Sequence, residues 1–243
     1  MDQKKPLGLS LIIPTFNEKK NIKPLLENLK ELSESIDFPF EVIIVDGNSN
    51  DGTQNILKSL FTDLNPDLFS LIQLNSTNGY GFDILQGLDR ARYDILAWTH
   101  ADLQTDVNDV KKAFNKLNSS KSINLIIKGE RKNRNFLDFF FTFGMQLVVF
   151  LYLKVVLNDI NAQPKLFTRE FYEDRIKEGA PKDFSLDLYL LFQAKKNKYL
   201  IESIPVYFLK RIHGDAKGGG GNWKNRTKLI KRTFSYIREL SKK

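Results

Sequence analysis

Cysteine is absent from this chain. That excludes a disulfide scaffold, a zinc ribbon and a thiol nucleophile, and it agrees with a cytosolic location. Nor is there a long apolar run behind the charged N-terminus. The first apolar stretch, Leu9 to Ile13, stops at Pro14, which argues against a secretory signal. The Gly-Lys-Ser/Thr ending of a P-loop and the full dinucleotide fingerprint are also missing. NGYGFD (78–83) is the nearest approach, so an ATPase or a nicotinamide enzyme is disfavoured. Internal repeats are lacking, and the one low-complexity run is GGGG (218–221).

What is present suits one globular α/β domain. The chain has 243 residues, 42% of them hydrophobic and 27% charged. Its net charge of +8 sits at one end: residues 209–243 carry eleven Lys and Arg against two acidic residues. Such a block suits an anionic partner or a solvated helix face.

Short β-branched runs alternate with helical patterns through the first half. LSLIIP (9–14), EVIIVD (41–46), FSLIQL (69–74), DILAWT (94–99) and INLIIK (123–128) read as strands. The segments 21–32, 52–61, 81–92 and 107–117 place apolar residues at helical spacing. This alternation predicts a mostly parallel sheet with helices on both faces, whose ligands gather at the strands' carboxyl ends. There the chain puts PTFNE, DGNSNDGT, NSTNGYG and HADLQTD.

Further on, KLFTR (165–169) and YLIESIPVYFLK (199–210) read as strands, and DFSLDLYLLFQAKK (183–196) as a helix. Residues 136–157 are densely apolar, with Asp138, Thr142, Gln146 and Lys154 in one narrow polar stripe. A helix lying in a membrane interface, whole or broken near Gly144, fits this better than a buried core helix or a membrane span. The tail puts Trp223, Ile230, Phe234 and Ile237 on one face among Lys and Arg. That makes 222–243 a basic amphipathic helix for an anionic membrane surface or a partner. Its few aromatics argue against nucleic acid.

Two loops carry the chemistry. Asp46 can accept hydrogen bonds from a ribose or a base, and Asp51 or Thr53 can cap the helix that follows. In HADLQ, oxygen donors at alternate positions can share one side of an extended segment and suit Mg²⁺ or Mn²⁺ on a diphosphate. The imidazole of His100 is more acceptable to Mn²⁺ than to Mg²⁺. As a plainer reading, Asp102 caps the next helix and His100 is a polar strand-end residue.

LSLIIPTFNEKKNI, EVIIVDGNSNDGT and DILAWTHADLQTD, in that order and spacing, resemble the family 2 glycosyltransferases of GT-A (Rossmann-like) fold. DINAQPKLFTRE (159–170) and FLKRIHGDAKGG (208–219) resemble its polyprenyl-phosphate branch, which includes dolichyl-phosphate mannose synthase. The resemblance runs over roughly residues 9 to 220 and implies a GT-A domain at 1–221 with the tail helix appended.

It also implies site residues. The branch's Asp-x-Asp-x-Gln metal motif falls on His100, Asp102 and Gln104, with His in place of the first acid. The donor nucleotide falls to Pro14, Thr15, Asn17, Glu18, Asp46, Asn48, His100, Ala101 and Asp102. The family's Asp-Asp pair lands on Asp46 and Gly47, leaving one carboxylate for the nucleoside. Arg131, Arg134, Arg211 and Lys217 match residues facing phosphate, and Asp102, Arg131 and Arg211 carry the catalytic roles.

The implied activity is inverting transfer from a GDP- or UDP-linked sugar to a polyprenyl phosphate, with a divalent cation, at the cytoplasmic face of a membrane. A phosphate acceptor is already anionic and needs no base. Two other readings stay open: a sugar-hydroxyl acceptor with Asp187 as base, and a non-catalytic nucleotide-binding homologue.

Overall fold

The computed structural model describes residues 7–120, 122, 124–133, 136–213 and 223–242. Seven strands form one sheet: β1 (Leu9–Thr15), β2 (Phe40–Asp46), β3 (Phe69–Gln73), β4 (Ile95–Trp98), β5 (Leu125–Arg131), β6 (Lys165–Thr168) and β7 (Leu200–Val206). Their order is β3-β2-β1-β4-β6-β5-β7. Among the described strands only β6 runs antiparallel to its neighbours; the other pairings are parallel.

The helices are α1 (Ile22–Ser35), α2 (Thr53–Phe61), α3 (Tyr80–Leu88), α4 (Asn108–Asn118), α5 (Phe136–Leu153), α6 (Arg169–Phe171, continued by a π-turn Tyr172–Ile176), α7 (Leu186–Lys196) and α8 (Trp223–Leu240). Strand β1 is buried along its whole length because both faces are covered. Leu9, Leu11 and Ile13 point to a core shared with α1, α2 and α4. Ile12 points to the opposite core with α3, α5, α7 and α8. The two-residue period of a strand separates these sets.

From β1 the chain winds outward through β2 to β3 on one side, then crosses back to place β4 on the other side of β1. Such a reversal opens a crevice beyond the strand ends. Thr15, Asp46 and Trp98 end the three strands that flank it. Strand β5 starts two residues later than the sequence pattern suggests and runs on to Arg131. The short α6 and its π-turn carry no sequence signal that announces them.

Helix α5 is continuous through Gly144 and ends at Leu153, where Lys154 turns into the left-handed region (φ 57°). It is neither wholly core nor wholly exposed. Val149 and Leu153 are buried one turn apart, while Leu147, Phe150 and Leu151 face outward. Helix α8 packs beside it, with Phe234 edge-on to Tyr152 and with Ile237 and Leu240 buried. No helix among the described residues is long and apolar enough to cross a membrane.

Candidate functional site

Two loops at the crevice are stitched into one wall. The Asn17 N–H donates to Ser49 Oγ (2.8 Å), and the Asn50 N–H donates back to Asn17 Oδ1 (2.8 Å). The Glu18 N–H donates to Thr53 Oγ1 (3.0 Å), and the Gly47 N–H to the Thr15 carbonyl (2.9 Å). Asp51 caps the start of α2, accepting from both the N–H and the hydroxyl of Thr53 (2.9 and 2.6 Å). Asn17 and Asn48 both hold positive φ (53° and 64°), a conformation that Asn tolerates better than most residues. Pro14 and Thr15 lie on buried β1, paired with Val45 and Asp46.

Asp46 is fully buried at the end of β2. Its Oδ2 accepts from the Ser49 N–H (3.0 Å) and from Gln54 Nε2 (2.9 Å). Asn48 Oδ1 lies 3.5 Å from the same Gln54 amide. Ser49, Gln54 and Asp51 thus orient the carboxylate and fix its loop.

The HADLQ segment is not extended, which corrects the sequence expectation. Strand β4 stops at Trp98, residues 101–105 bend, and Leu103 takes a left-handed backbone (φ 59°). A bulky residue there is strained, and strain of this kind concentrates at functional sites. Ala101 is buried behind the bend. His100 lies against Tyr80, ring centroids 5.6 Å apart, and Tyr80 stacks on Phe184 at 4.7 Å. Arg232 of α8 covers Phe184 (5.5 Å) and pairs with Asp183 (3.0 Å). Part of the basic tail therefore braces the aromatic stack behind His100.

Asp102 and Gln104 face the segment after β7. Gln104 clamps Leu209 twice: its carbonyl accepts from the Leu209 N–H (2.8 Å), and its amide Nε2 donates to the Leu209 carbonyl (3.0 Å). Asn133 clamps Phe208 in the same double fashion, at 2.8 Å each way. So held, the segment returns Arg211 to the crevice. Its guanidinium donates to Asp102 Oδ2 (2.8 Å) and Glu18 Oε1 (3.2 Å). Burial works against the Arg211 charge, but Asp102 and then Glu18 outweigh it and raise its pKa above the ordinary arginine value.

Arg131 is engaged elsewhere. It grips Asp159 with its backbone N–H (2.8 Å), Nε (3.0 Å) and Nη2 (2.5 Å), and it lies against the Phe208 ring (5.4 Å). It thus supports the residue three before Arg211. Arg134 and Lys217 lie outside the described residues.

Asp187 is buried against Lys165 (2.8 Å) and also accepts from Gln163 Nε2 (2.9 Å). Lys165 is fully buried, and burial lowers its pKa against the pull of Asp187. Tyr80 is pushed well above the ordinary phenol value by burial, then by Asp187 and Asp102, so it stays neutral. A lysine inside the apolar strand KLFT was the sequence signal for this pair. Asp159 and Asp83 gave none that separates them from other acids.

Among the described residues no three His, Asp or Glu gather as a metal cage. Asp102 Oδ2 nonetheless already faces a cation, the guanidinium of Arg211. One carboxylate suits a divalent ion whose other ligands come from a diphosphate.

The family described as Glycosyl transferase family 2 matches residues 10–149. The chain is 29% identical over 133 residues to dodecaprenyl-phosphate galacturonate synthase of Rhizobium johnstonii, 55% of this chain and 38% of that protein. It is 25% identical to a dolichyl-phosphate beta-glucosyltransferase of Homo sapiens, over 82% of this chain and 66% of the other. The chain thus spans well under two thirds of the first relative. Among solved structures its fold is similar to glucosyl-3-phosphoglycerate synthase of Mycobacterium tuberculosis with Mn²⁺ and UDP (TM-score 0.72, 13% identity, 95% of this chain and 78% of that one). It is likewise similar to a mannosyltransferase of Pyrobaculum calidifontis with GDP-Man and Mn²⁺ (TM-score 0.64, 20% identity, 95% and 61%).

Proposed function

From the premise that the chain belongs to glycosyl transferase family 2, we propose that it is an inverting glycosyltransferase using a nucleotide-sugar donor and a polyprenyl phosphate acceptor. The observation that carries this reading is the contact of Arg211 with Asp102 and Glu18 beyond the ends of β1 and β4. It sets a forked cation, of the kind that would bind phosphate, beside a carboxylate that would face the donor's diphosphate.

The acceptor phosphate is ionised near neutral pH, so attack on the sugar C1 needs no general base. Arg211 would hold the acceptor phosphate, cancelling repulsion between two anions and aligning them. Asp46 and the wall from Pro14 to Glu18 would hold the nucleoside. Asp102, with Gln104 and His100 beside it, would hold Mn²⁺ or Mg²⁺, which supplies charge neutralisation to the departing diphosphate. In-line attack gives inversion.

Two apolar surfaces support a lipid acceptor. Tyr207, Leu209 and Ile212 are exposed around Arg211. Leu147, Phe150 and Leu151 of α5 and Ile230 and Phe234 of α8 are exposed as well. An apolar rim beside Arg211 would match a phosphate headgroup with its lipid tail, and such surfaces suit a membrane interface. The basic residues of α8 suit anionic lipid. The hydroxyl-acceptor reading gains no support, because its candidate base, Asp187, is buried and held by Lys165 and Gln163.

The test incubates purified protein and Mn²⁺ with GDP- and UDP-sugars, offering short-chain polyprenyl phosphate or the matching neutral polyprenol. Sugar should reach the organic phase with the phosphate and not with the alcohol. No transfer across the donor panel would refute the proposal.

A further inference from the structure

Gly47 stands where a second carboxylate is expected beside Asp46, and the fold shows what its missing side chain makes room for. Its backbone is not in the left-handed region, so no conformational demand requires glycine there. The demand is for space. A Cβ on Gly47 would fall 2.4 Å from Oδ2 of Asp83, well inside van der Waals contact.

Asp83 reaches this place from the first turn of α3, its N–H donating to the Gly79 carbonyl (3.1 Å). The carboxyl of a different element thus fills the space that a side chain on Gly47, the neighbour of Asp46, would take. Thr77 closes the rear by donating its hydroxyl to the Gly47 carbonyl (3.0 Å).

Neither carboxyl is fully satisfied. Asp46 is fully buried and Asp83 is 4% exposed. Each keeps its Oδ1 buried without a hydrogen-bond partner. Two orphaned buried acceptors on either side of Gly47's backbone are costly in a folded protein, and a ligand bringing donors would relieve the cost. Burial, and then the charge of Asp46, push Asp83 up to about 7. A carboxyl so placed can donate when protonated and accept when not.

We propose that Asp83 is the second nucleoside-binding carboxyl of the donor site, relocated from the loop after β2 to helix α3 and paired with Asp46 across Gly47. Resting on the nucleotide-sugar reading, this names the residue that completes its nucleoside pocket. The ligand groups are hydrogen-bond donors of a nucleoside diphosphate: a ring N–H of the base or the ribose hydroxyls.

Isothermal titration with UDP, GDP and inorganic pyrophosphate, each with Mn²⁺, tests it. Asp83→Ala should weaken the better-bound nucleotide at least tenfold and leave pyrophosphate within twofold. Gly47→Asp alone should also bind poorly, because two carboxyls crowd one space. Gly47→Asp with Asp83→Ala returns a carboxyl to the loop and should recover affinity to within about threefold of wild type. That pair, compared with Gly47→Ala/Asp83→Ala, also decides the matter if Asp83→Ala alone fails to fold. The 2′,3′-dideoxy nucleotide separates the two donor sources. The Asp83→Ala penalty vanishes with it if the ribose is the partner and persists if the base is.

Unchanged nucleotide affinity in Asp83→Ala overturns the inference and leaves the function standing. So does a Gly47→Asp/Asp83→Ala variant that binds no tighter than its alanine counterpart. Failure of the wild-type protein to bind any nucleotide overturns both.

Discussion

Arg211 and Asp102 stand 109 residues apart in sequence and 2.8 Å apart in space, with Glu18 of a third loop on the same guanidinium. The contact depends on the clamps at Gln104–Leu209 and Asn133–Phe208, which fix where the segment after β7 turns back. It makes one cation common to the first loop, the HADLQ bend and the last strand's extension.

Among the described residues Asp187 and Lys165 form the most deeply buried ion pair, and neither partner can be lost cheaply. Asp187→Asn should cost on the order of 3 kcal/mol of unfolding free energy, because it leaves a buried ammonium without its counter-charge. Replacing both partners by apolar residues of similar volume should recover most of that loss. Urea denaturation of the single and double variants measures it. Transfer to lipid phosphate per folded molecule should stay within a few-fold of wild type, and a hundredfold loss would return Asp187 to candidacy as a base.

Asp83 gives a pH dependence whose sign follows from its shift. Its carboxyl titrates near 7 in the fold against 3.8 unfolded, so between these values the folded state holds the extra proton. Stability therefore falls as pH rises through that window and levels off above it, with about 1.4 kcal/mol per pH unit as the upper bound. In Asp83→Asn this fall disappears. The variant's stability relative to wild type should grow by about 2 kcal/mol from pH 5 to pH 8. Urea midpoints at the two pH values report it, and a constant difference would contradict the assignment.

Phe150 and Leu151 present their side chains to the surface, 47% and 53% exposed, just before Tyr152, which meets Phe234 of α8. Replacing both by Glu should abolish sedimentation with anionic vesicles. Soluble donor binding should remain within twofold, since both side chains face outward. Retained vesicle binding would move the membrane contact elsewhere.

Much of the sheet was readable because β1 and β2 are buried on both faces and appear as unbroken apolar runs. The polar loops after them marked the crevice for the same reason: a parallel sheet collects its loops at one edge. The bend at Leu103 was not readable, since nothing in HADLQ announces a left-handed leucine. Arg131 was recognisable as basic, but its partner Asp159 is fixed by tertiary packing. In the sequence, Asp83 is one acid in the helical segment 81–92 with nothing local to single it out. Its meaning appears only when α3 is laid against Gly47, a relationship that no local pattern encodes.

The decisive measurement is kcat/KM for transfer to short-chain polyprenyl phosphate by Arg211→Ala and Arg211→Lys beside the wild type. At least a hundredfold loss is expected in Arg211→Ala, with little recovery in Arg211→Lys because a point charge cannot fork across two oxygens. Melting temperatures should stay within a few degrees, confirming that the fold is intact. Transfer at the wild-type rate by a folded Arg211→Ala protein would contradict the placement of the acceptor phosphate at this residue.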